Sequence, residues 1–417
     1  MSRSGGSGSL VLEPGTGRRH RAPGSGERPP RLAAAPSTPK ARWAAAIHRV
    51  PTATLILTAT AVLCVFGLVM VGSASEVISI EIYGSPWSIL VREVIWMVLG
   101  VVLLVGASKF DYRKWSKLGR PLLVATFLLL VIVLVPGIGT HAGGSSRWIG
   151  FGSIALQPSE VMKLALAIAG ADLISRREQQ GAEYRSIIIP LLVITALAAG
   201  LIVVQPDLGT AVVIGCICLV LLFASGVPMR PILKLGAGVV AVALLAGVVD
   251  PYRRERLLSF LNPGAHSSGS GYQVLQSLIG LGSGGVFGVG LGNGSEKWGY
   301  LPNAHTDFIF SVVGQELGML GALCALAVLA FFVWAGTRAA LRAPDRFGQL
   351  LGLSLATWIA AEAVINVGAV VGLLPVTGIP LPFISYGGSS LVITMVAAGI
   401  LVNIARHERV TGGNGAR

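Results

Sequence analysis

Long apolar segments alternate with short polar loops along most of this 417-residue chain. Ten segments are each close to the roughly 20 residues that a helix needs to cross a bilayer. They cover residues 51–73, 88–107, 121–136, 158–174, 187–204, 208–225, 231–249, 307–336, 347–374 and 388–405. The pattern predicts about ten transmembrane helices, because only helices or closed barrels satisfy the backbone in lipid. Barrel strands alternate apolar and polar residues, and these segments do not.

The composition supports a membrane protein. Hydrophobic residues make up 53% and charged residues 12% of the chain, whereas soluble domains carry roughly 25% charged residues. The net charge of +13 would suit nucleic-acid binding. However, most Lys and Arg residues lie in the N-terminal tail and in alternate loops, which is the distribution that places those parts in the cytoplasm. The predicted fold is an all-α polytopic membrane protein with both termini cytoplasmic, and no nucleic-acid partner is expected.

Three regions are predicted along the chain. Residues 1–50 are rich in Gly, Ser, Pro and Arg and cannot bury a core, which indicates a disordered, basic cytoplasmic tail near anionic membrane lipids. Residues 51–405 form the ten-helix membrane domain, and residues 406–417 form a short cytoplasmic tail. Within the domain, the long segment 250–305 is expected to be a large extracytoplasmic loop between the seventh and eighth helices. The four cysteines lie inside apolar segments and indicate core residues rather than disulfides.

The loop-to-helix stretch 297–318 carries polar residues in unusual places. His305, Thr306 and Asp307 stand where the eighth helix is expected to begin. Glu316 lies about two turns further in. Ionisable side chains at membrane depth are costly and commonly functional. Two interpretations stay open from local chemistry alone: Thr306 and Asp307 cap the helix, or they belong to a functional site.

Several charged residues depart from the general charge distribution. The Lys and Arg residues outside the cytoplasmic loops are Arg92, Arg147, Lys163, Arg253, Arg254, Arg256 and Lys297. The arginines of 253–256 fit an interfacial helix that contacts headgroups, or a site for an anionic substrate, since guanidinium binds phosphate oxygens in pairs. Glu160 and Lys163 are neighbours on one helix face, which fits a structural ion pair as well as a binding role. No zinc spacing and no nucleotide-binding loop is present, so no organic cofactor is expected.

Four motifs identify a resemblance to a known family. They are RWIGFGSIALQPSEVMKLAL at 147–166, QPDLGT at 205–210, GVGLGNGSEKWGYLPNAHTDFIF at 288–310 and GLLPVTGIPLPFISYGGSS at 372–390. With these motifs the chain resembles the SEDS family (shape, elongation, division and sporulation) over residues 51–405. The KWGYLP sequence resembles the cell-division members most, and the elongation members second.

The resemblance implies a peptidoglycan glycosyltransferase in the cytoplasmic membrane at the division septum. It would work with a class B penicillin-binding protein and other divisome proteins. Its substrate would be lipid II, a disaccharide-pentapeptide on undecaprenyl diphosphate, which it would add to a nascent glycan strand. Asp307 matches the family's essential acid, and a sugar hydroxyl does need a carboxylate to accept its proton. Arg, Lys or a divalent cation, Mg or Mn, would neutralise the diphosphate leaving group.

Other residues around these motifs are expected to serve the same site. Substrate contacts are expected from Arg147, Lys163, Glu160, Arg253, Arg254, Lys297, His305, Thr306 and Ser389, and structural roles around the cavity from Asp207, Gln157 and Glu316. Two other functions stay open, a lipid II flippase and a septal scaffold for partner enzymes. A flippase should expose its charged site to both membrane faces in turn. Here the Gly-rich loops and surplus charges lie on the outer side, which favours the polymerase.

Overall fold

The computed structural model describes residues 50–136, 139–142, 145–151, 154–249, 254, 260 and 270–408. All of them belong to one compact unit, Val50–Arg417. The predicted N-terminal tail lies outside the described residues up to position 49, as do Arg253 and the C-terminal tail from position 409 onwards. The predicted states of the two tails therefore stay predictions.

Eleven α-helices form most of the described chain. They are α1 Thr52–Tyr83, α2 Ser88–Lys109, α3 Tyr112–Ile132, α4 Pro158–Gln179, α5 Tyr184–Val204, α6 Leu208–Ala224, α7 Met229–Val249, α8 Ser270–Ser283, α9 Ile309–Leu341, α10 Arg346–Val370 and α11 Gly388–Arg406. All except α8 coincide with a predicted apolar segment. Among the described helices, seven are long and apolar enough to cross a membrane by length and composition: α1, α2, α3, α5, α9, α10 and α11. The polytopic, mostly helical fold is confirmed.

Two elements were not expected from the sequence. Between α3 and α4 the chain forms three short antiparallel strands, in the order β1 Gly139–Ala142, β2 Ser145–Phe151 and β3 Ile154–Leu156. Helix α8 occupies part of the segment that was predicted to be an extracytoplasmic loop. Both elements are short and rich in Gly or Ser, so they lack the long apolar runs that reveal the other helices.

The centre of the bundle is formed by α4, α10 and α11. In the most apolar window of α11, 83% of the residues are buried, against 22% for α3 and for α5. Most residues of α4 are also buried, including Glu160, Lys163 and Asp172. The polar groups of these central helices therefore face protein rather than lipid, which is where ionisable residues in membrane proteins are tolerated.

Helix α9 is interrupted at Gly318, where φ is 69° and ψ is −173°. Such a break leaves backbone amides without their helical partners. The Gly-rich segment 284–294 supplies replacements: the Met319 amide donates to the Gly285 carbonyl at 2.9 Å, and the Leu320 amide bonds the next carbonyl of the segment at 3.2 Å. The break is therefore bonded by a neighbouring piece of the chain.

The close approach of this segment depends on glycine. Gly288 has φ of +82°, and a Cβ at this position would overlap the carbonyl oxygen of Glu316. Together with α8, which packs along α9, the segment forms a hairpin that is built into the bundle. This hairpin replaces part of the expected outer loop and lies directly before the stretch that carries Asp307.

Candidate functional site

Asp307 lies in the turn that leads into α9, at the end of the bundle that the charge distribution assigns to the outside. The helix begins at Ile309 with Phe308 as its N-cap residue, and the Phe308 side chain makes no cap hydrogen bond. Thr306 and Asp307 lie just before this position, and both interpretations of them, as helix caps or as site residues, stay open. Asp307 is half-buried, and the Thr306 hydroxyl donates to its Oδ1 at 3.0 Å. The carboxylate thus stands at the rim of the bundle, in partial contact with solvent.

The fourth motif forms one wall beside Asp307. A Cβ built on Gly378 would lie 4.0 Å from Oδ2 of Asp307, so the absence of a side chain leaves space next to the carboxylate. Asn366 of α10 donates to the carbonyl of Asp307 and to the carbonyl of Ile379, both at 2.7 Å. The third and fourth motifs are therefore held together at this point through their backbones.

A second contact between these motifs involves His305. The Tyr386 amide donates to the His305 carbonyl at 3.0 Å, and the centres of the two rings are 5.5 Å apart. Burial lowers the pKa of His305 to about 4, so the imidazole is neutral at neutral pH. Ser389 follows in the first turn of α11, is buried, and its hydroxyl lacks a partner among the described residues.

The second motif joins α5 to α6 and touches the same wall. A Cβ on Gly209 would lie 2.6 Å from the side chain of Ile379. Asp207 caps α6 by accepting the Thr210 amide at 3.1 Å, and it also accepts from the Gln157 side chain at 3.1 Å. Asp207 and Gln157 are thus brought together, and they connect the starts of α4 and α6 beneath the fourth motif.

Arg147 links the first motif to the second. Its Nε donates to the Gln205 carbonyl at 2.8 Å and its Nη2 donates to the Pro206 carbonyl. Within the described residues no carboxylate lies within ion-pair distance of this guanidinium, so its positive charge is not neutralised by an acid. Of the other predicted arginines, Arg254 is exposed and Arg253 lies outside the described part of the chain.

Lys163 is enclosed in a cluster of charges between α4 and α10. Its Nζ lies 2.7 Å from Glu160, contacts Glu362, and stands 4.9 Å from the ring centre of Trp358. The exposed fractions of the Lys163, Glu160 and Glu362 side chains are 1%, 3% and 2%. The structure therefore places Lys163 and Glu160 inside the bundle, and direct contact with a substrate would require this cluster to open.

Two further predicted residues connect the site to α1. Nζ of Lys297 is buried and lies 3.2 Å from the carboxylate of Glu76. Glu316 is fully buried in α9, and the Ser73 hydroxyl donates to its two carboxylate oxygens at 2.7 and 2.8 Å. These contacts fix the stretch 297–318 against α1.

Sequence reasoning missed three buried polar residues. Glu362 and Glu93 are single acids inside apolar segments, and both are almost fully buried. The general rule that ionisable residues within predicted spans mark functional sites would have found them. Asn366 carries no such signal, because its importance depends on two carbonyls from distant parts of the chain.

Comparisons with known proteins agree with this architecture. Residues 53–410 match the family model FTSW_RODA_SPOVE, described as cell cycle protein. Over 371 residues the chain is 42% identical to the probable peptidoglycan glycosyltransferase FtsW of Mycobacterium tuberculosis. This match covers 89% of this chain and 71% of that relative.

Solved structures show the same relationship. The chain resembles one chain of a peptidoglycan synthase complex described for its structural coordination of polymerization and crosslinking, with a TM-score of 0.69, 29% identity, and coverage of 84% of this chain and 96% of that one. It also resembles the rod shape determining protein RodA of Thermus thermophilus, with a TM-score of 0.64, 28% identity, and coverage of 85% and 96%. The resemblance inferred from the four motifs is confirmed. This chain belongs to the FtsW, RodA and SpoVE family of cell cycle proteins.

Proposed function

We propose that this protein is a peptidoglycan glycosyltransferase that polymerises lipid II at the outer face of the cytoplasmic membrane during cell division. Family membership and the name of the FtsW relative support the reaction class. The observation that supports the site is the half-buried Asp307, whose carboxylate stands beside the fourth motif. The second motif packs against that wall, and the first motif contacts the second through Arg147.

The reaction assigns one task to Asp307. The 4-hydroxyl of a GlcNAc unit on lipid II attacks the anomeric carbon of MurNAc at the end of the growing strand. Asp307 accepts the hydroxyl proton as the new C–O bond forms, and the bond to undecaprenyl diphosphate breaks. The diphosphate leaves as an anion and needs no proton. One carboxylate therefore suffices, where glycosidases that protonate their leaving group use two.

The surroundings of Asp307 suit a large anionic substrate. Gly378 leaves space beside the carboxylate, and neutral His305 adds no competing charge. Arg147 offers positive charge beside the second motif, which favours a diphosphate in its vicinity. We assign Arg147 to neutralisation of the leaving group.

A divalent cation, Mg or Mn, is a further proposal. The described residues contain no group of three or more His, Cys, Asp or Glu side chains placed to hold a metal ion. Mg²⁺ commonly keeps several waters and binds largely through substrate phosphates, so a cation that arrives on the diphosphate of lipid II would need no such group and would leave Asp307 free as the base. The cation would add positive charge near the diphosphate. We expect EDTA to slow polymerisation and Mg²⁺ to restore it.

Asp307→Asn is the direct test. Asparagine keeps the size and hydrogen bonding of the side chain but cannot accept a proton, so we expect a folded protein whose polymerisation rate falls by about 10²–10⁴-fold. Asp111→Asn is the matched control, because Asp111 is the N-cap of α3 and Asn caps about as well as Asp. Both variants are reconstituted in liposomes with the partner enzyme and purified lipid II. Near wild-type polymerisation by Asp307→Asn would remove the base assignment.

The flippase alternative requires the site to reach both membrane faces. At the cytoplasmic end, however, the helices are joined by ion pairs, including Arg346–Glu178 at 2.7 Å and Arg113–Asp345 at 3.1 Å. These contacts join the cytoplasmic ends of the helices in this conformation, which favours a site that opens to the outside. Translocation of fluorescent lipid II across protein-containing liposomes, without polymerisation, would support the flippase instead.

For the partner we propose a class B penicillin-binding protein whose transmembrane helix lies between α9 and α10. An apolar groove of about 920 Å³ runs between these helices, and its lining residue Val364 is 65% exposed. Membrane helices associate largely through close packing, so this groove suits a helix. The structural relative in a peptidoglycan synthase complex supports such pairing. We propose in addition that the protein works with other divisome proteins and is located at the division septum.

A bulky residue in the groove tests this interface. We expect Val364→Trp to abolish co-purification of the partner, while Val124→Trp, at a comparably exposed position on α3, leaves it unchanged. Equal recovery of the partner with both variants would place the interface elsewhere.

A further inference from the structure

Asn366 of α10 bonds the backbones on both sides of the candidate site. We propose that Asn366 is a positioning residue, which fixes the location of the Asp307 carboxylate relative to the wall formed by the fourth motif. The inference rests on the proposed function, because it takes Asp307 as the reacting base. It adds a role for a residue whose side chain donates to the backbone carbonyls of Asp307 and Ile379.

The geometry uses both hydrogens of the Asn366 amide. Nδ2 lies 2.7 Å from the Asp307 carbonyl and 2.7 Å from the Ile379 carbonyl, and an amide NH₂ can donate to two acceptors at once. Asn366 is 2% exposed. Its bond to Ile379 is buried and its bond to Asp307 is part-buried, and shielding from water makes such bonds electrostatically stronger than surface bonds. Because the acceptors are backbone carbonyl oxygens, the bonds fix the position of Asp307 and do not neutralise the charge of its carboxylate.

The bonded segments have little regular structure of their own. Asp307 lies in a run of turns between the 3-10 turn Glu296–Trp298 and α9, and the Phe308 amide reaches the Asn303 carbonyl at only 3.4 Å. The partner segment includes Gly378 with φ of +77°. The two irregular segments share no β-ladder that would fix their relative position. A buried side chain on a long helix, bonded to both, can fix it instead.

Helix α10 is itself fixed by the charge cluster. Trp358, Glu362 and Asn366 are spaced four residues apart, so they lie along one face of α10. Lys163 of α4 contacts Glu362 and lies over Trp358. The same helix face is therefore anchored to the centre of the bundle at two positions and holds Asp307 at the third. This arrangement gives the buried cluster a part in placing the base without contact to substrate.

Position matters for a general base. A displacement of about 1 Å at a reacting group can cost on the order of 100-fold in rate. Asn366→Leu keeps the approximate volume but removes both donors. The Tyr386–His305 backbone bond still joins the two segments, but Asp307 itself loses its link to the fourth motif and can shift. We therefore expect kcat to fall on the order of 100-fold, with little change in KM for lipid II.

The chain offers a closely matched control in Asn403 of α11. It is 3% exposed, its Nδ2 donates to the Ser108 carbonyl at 2.9 Å, and its Oδ1 accepts from the Tyr112 amide at 2.9 Å. Asn403 thus makes two buried bonds to backbone, but at the cytoplasmic end. Asn403→Leu should lower thermal stability much as Asn366→Leu does, and should leave kcat unchanged.

The experiment compares the wild type, Asn366→Leu and Asn403→Leu with the partner enzyme in liposomes. It measures thermal unfolding, kcat and KM for lipid II, and hydrogen–deuterium exchange of residues 303–308 and 376–381. We expect only Asn366→Leu to lower kcat and to accelerate exchange in both segments. Should it fold poorly, Asn366→Ser, which retains one donor, carries the test with an intermediate fall in kcat.

Two results would overturn the inference: a kcat for the Asn366 variant equal to that of Asn403→Leu, or unchanged exchange in residues 303–308. Failure of the proposed function is separate, since it would appear as absence of polymerisation by the wild type. Exchange in the two segments would then still report whether Asn366 joins them.

Discussion

Replacing Lys163 by Met tests how the buried charges between α4 and α10 are balanced. The Lys163 ammonium contacts Glu160 and Glu362, and all three side chains are enclosed. Met retains most of the apolar length and can still pack against Trp358, but it leaves two buried carboxylates without a counter-charge. Removing one partner of a buried pair costs about 3–5 kcal/mol. We expect a loss of at least this size in the free energy of unfolding.

The third member of the cluster decides which combined variant restores stability. If Lys163 and Glu160 formed a simple pair, the double variant Glu160→Gln with Lys163→Met would restore stability. Here it leaves Glu362 as an uncompensated buried acid, so the recovery of stability should be partial. Adding Glu362→Gln removes every charge. Replacement of a whole buried ion group by neutral residues of similar volume is close to neutral for stability, so the triple variant should approach the wild type.

Thermal unfolding in detergent and polymerisation from lipid II measure both consequences. The expected order of melting temperature is wild type and triple variant highest, then the double variant, then Lys163→Met. A Lys163→Met protein as stable as the wild type would refute the reasoning. A stable triple variant without activity would give the cluster a functional role, as a substrate contact, which the sequence predicts, or in placing Asp307 through α10. A stable and active one would remove Lys163 and Glu160 from the site.

Two further outcomes are expected. Gly288→Ala should lower the melting temperature more than Gly292→Ala, because both have φ near +80° but only Gly288 faces a carbonyl oxygen; strain alone costs about 1–2 kcal/mol, and equal losses would contradict the packing of the hairpin. Burial raises the pKa of Glu296 from 4.5 to about 7, so its contribution to stability is fully present below about pH 4.5 and is lost as pH rises through about 7. The melting temperature of the wild type relative to Glu296→Gln should therefore increase as pH falls from 8 to 5, and a difference that does not change with pH would show that Glu296 is not buried as described.

The sequence predicts the helices well because each long apolar run has no other stable state in lipid. The errors of the prediction arise at the ends of the helices, where a helix extends beyond the apolar segment that predicted it. Helix α1 continues to Tyr83 through Glu76 and Glu81, since a helix can extend beyond the bilayer with polar side chains. Helix α3 begins at Tyr112, because the basic residues before the apolar run join the helix after the Asp111 cap.

The site was predictable only as far as its motifs are local. Asp307 and its neighbours were found because they interrupt the pattern within one short stretch. Glu362 lies 199 residues from Lys163, and Asn366 bonds two segments that no spacing rule connects. Contacts of this kind depend on how helices pack, and one sequence without its fold does not contain them in a form that can be read locally.

The break in α9 bears on how the chain enters the membrane during synthesis. Amides and carbonyls left open by a broken helix find no water in the hydrocarbon region, which costs several kcal/mol for each group. The segment 284–294 that bonds them lies before α9 in the chain, so the ribosome has completed it when α9 emerges. The hairpin and the part of α9 around the break at Gly318 can therefore partition into the bilayer as one paired unit. The translocation machinery then does not have to release a helix with exposed backbone groups into the lipid.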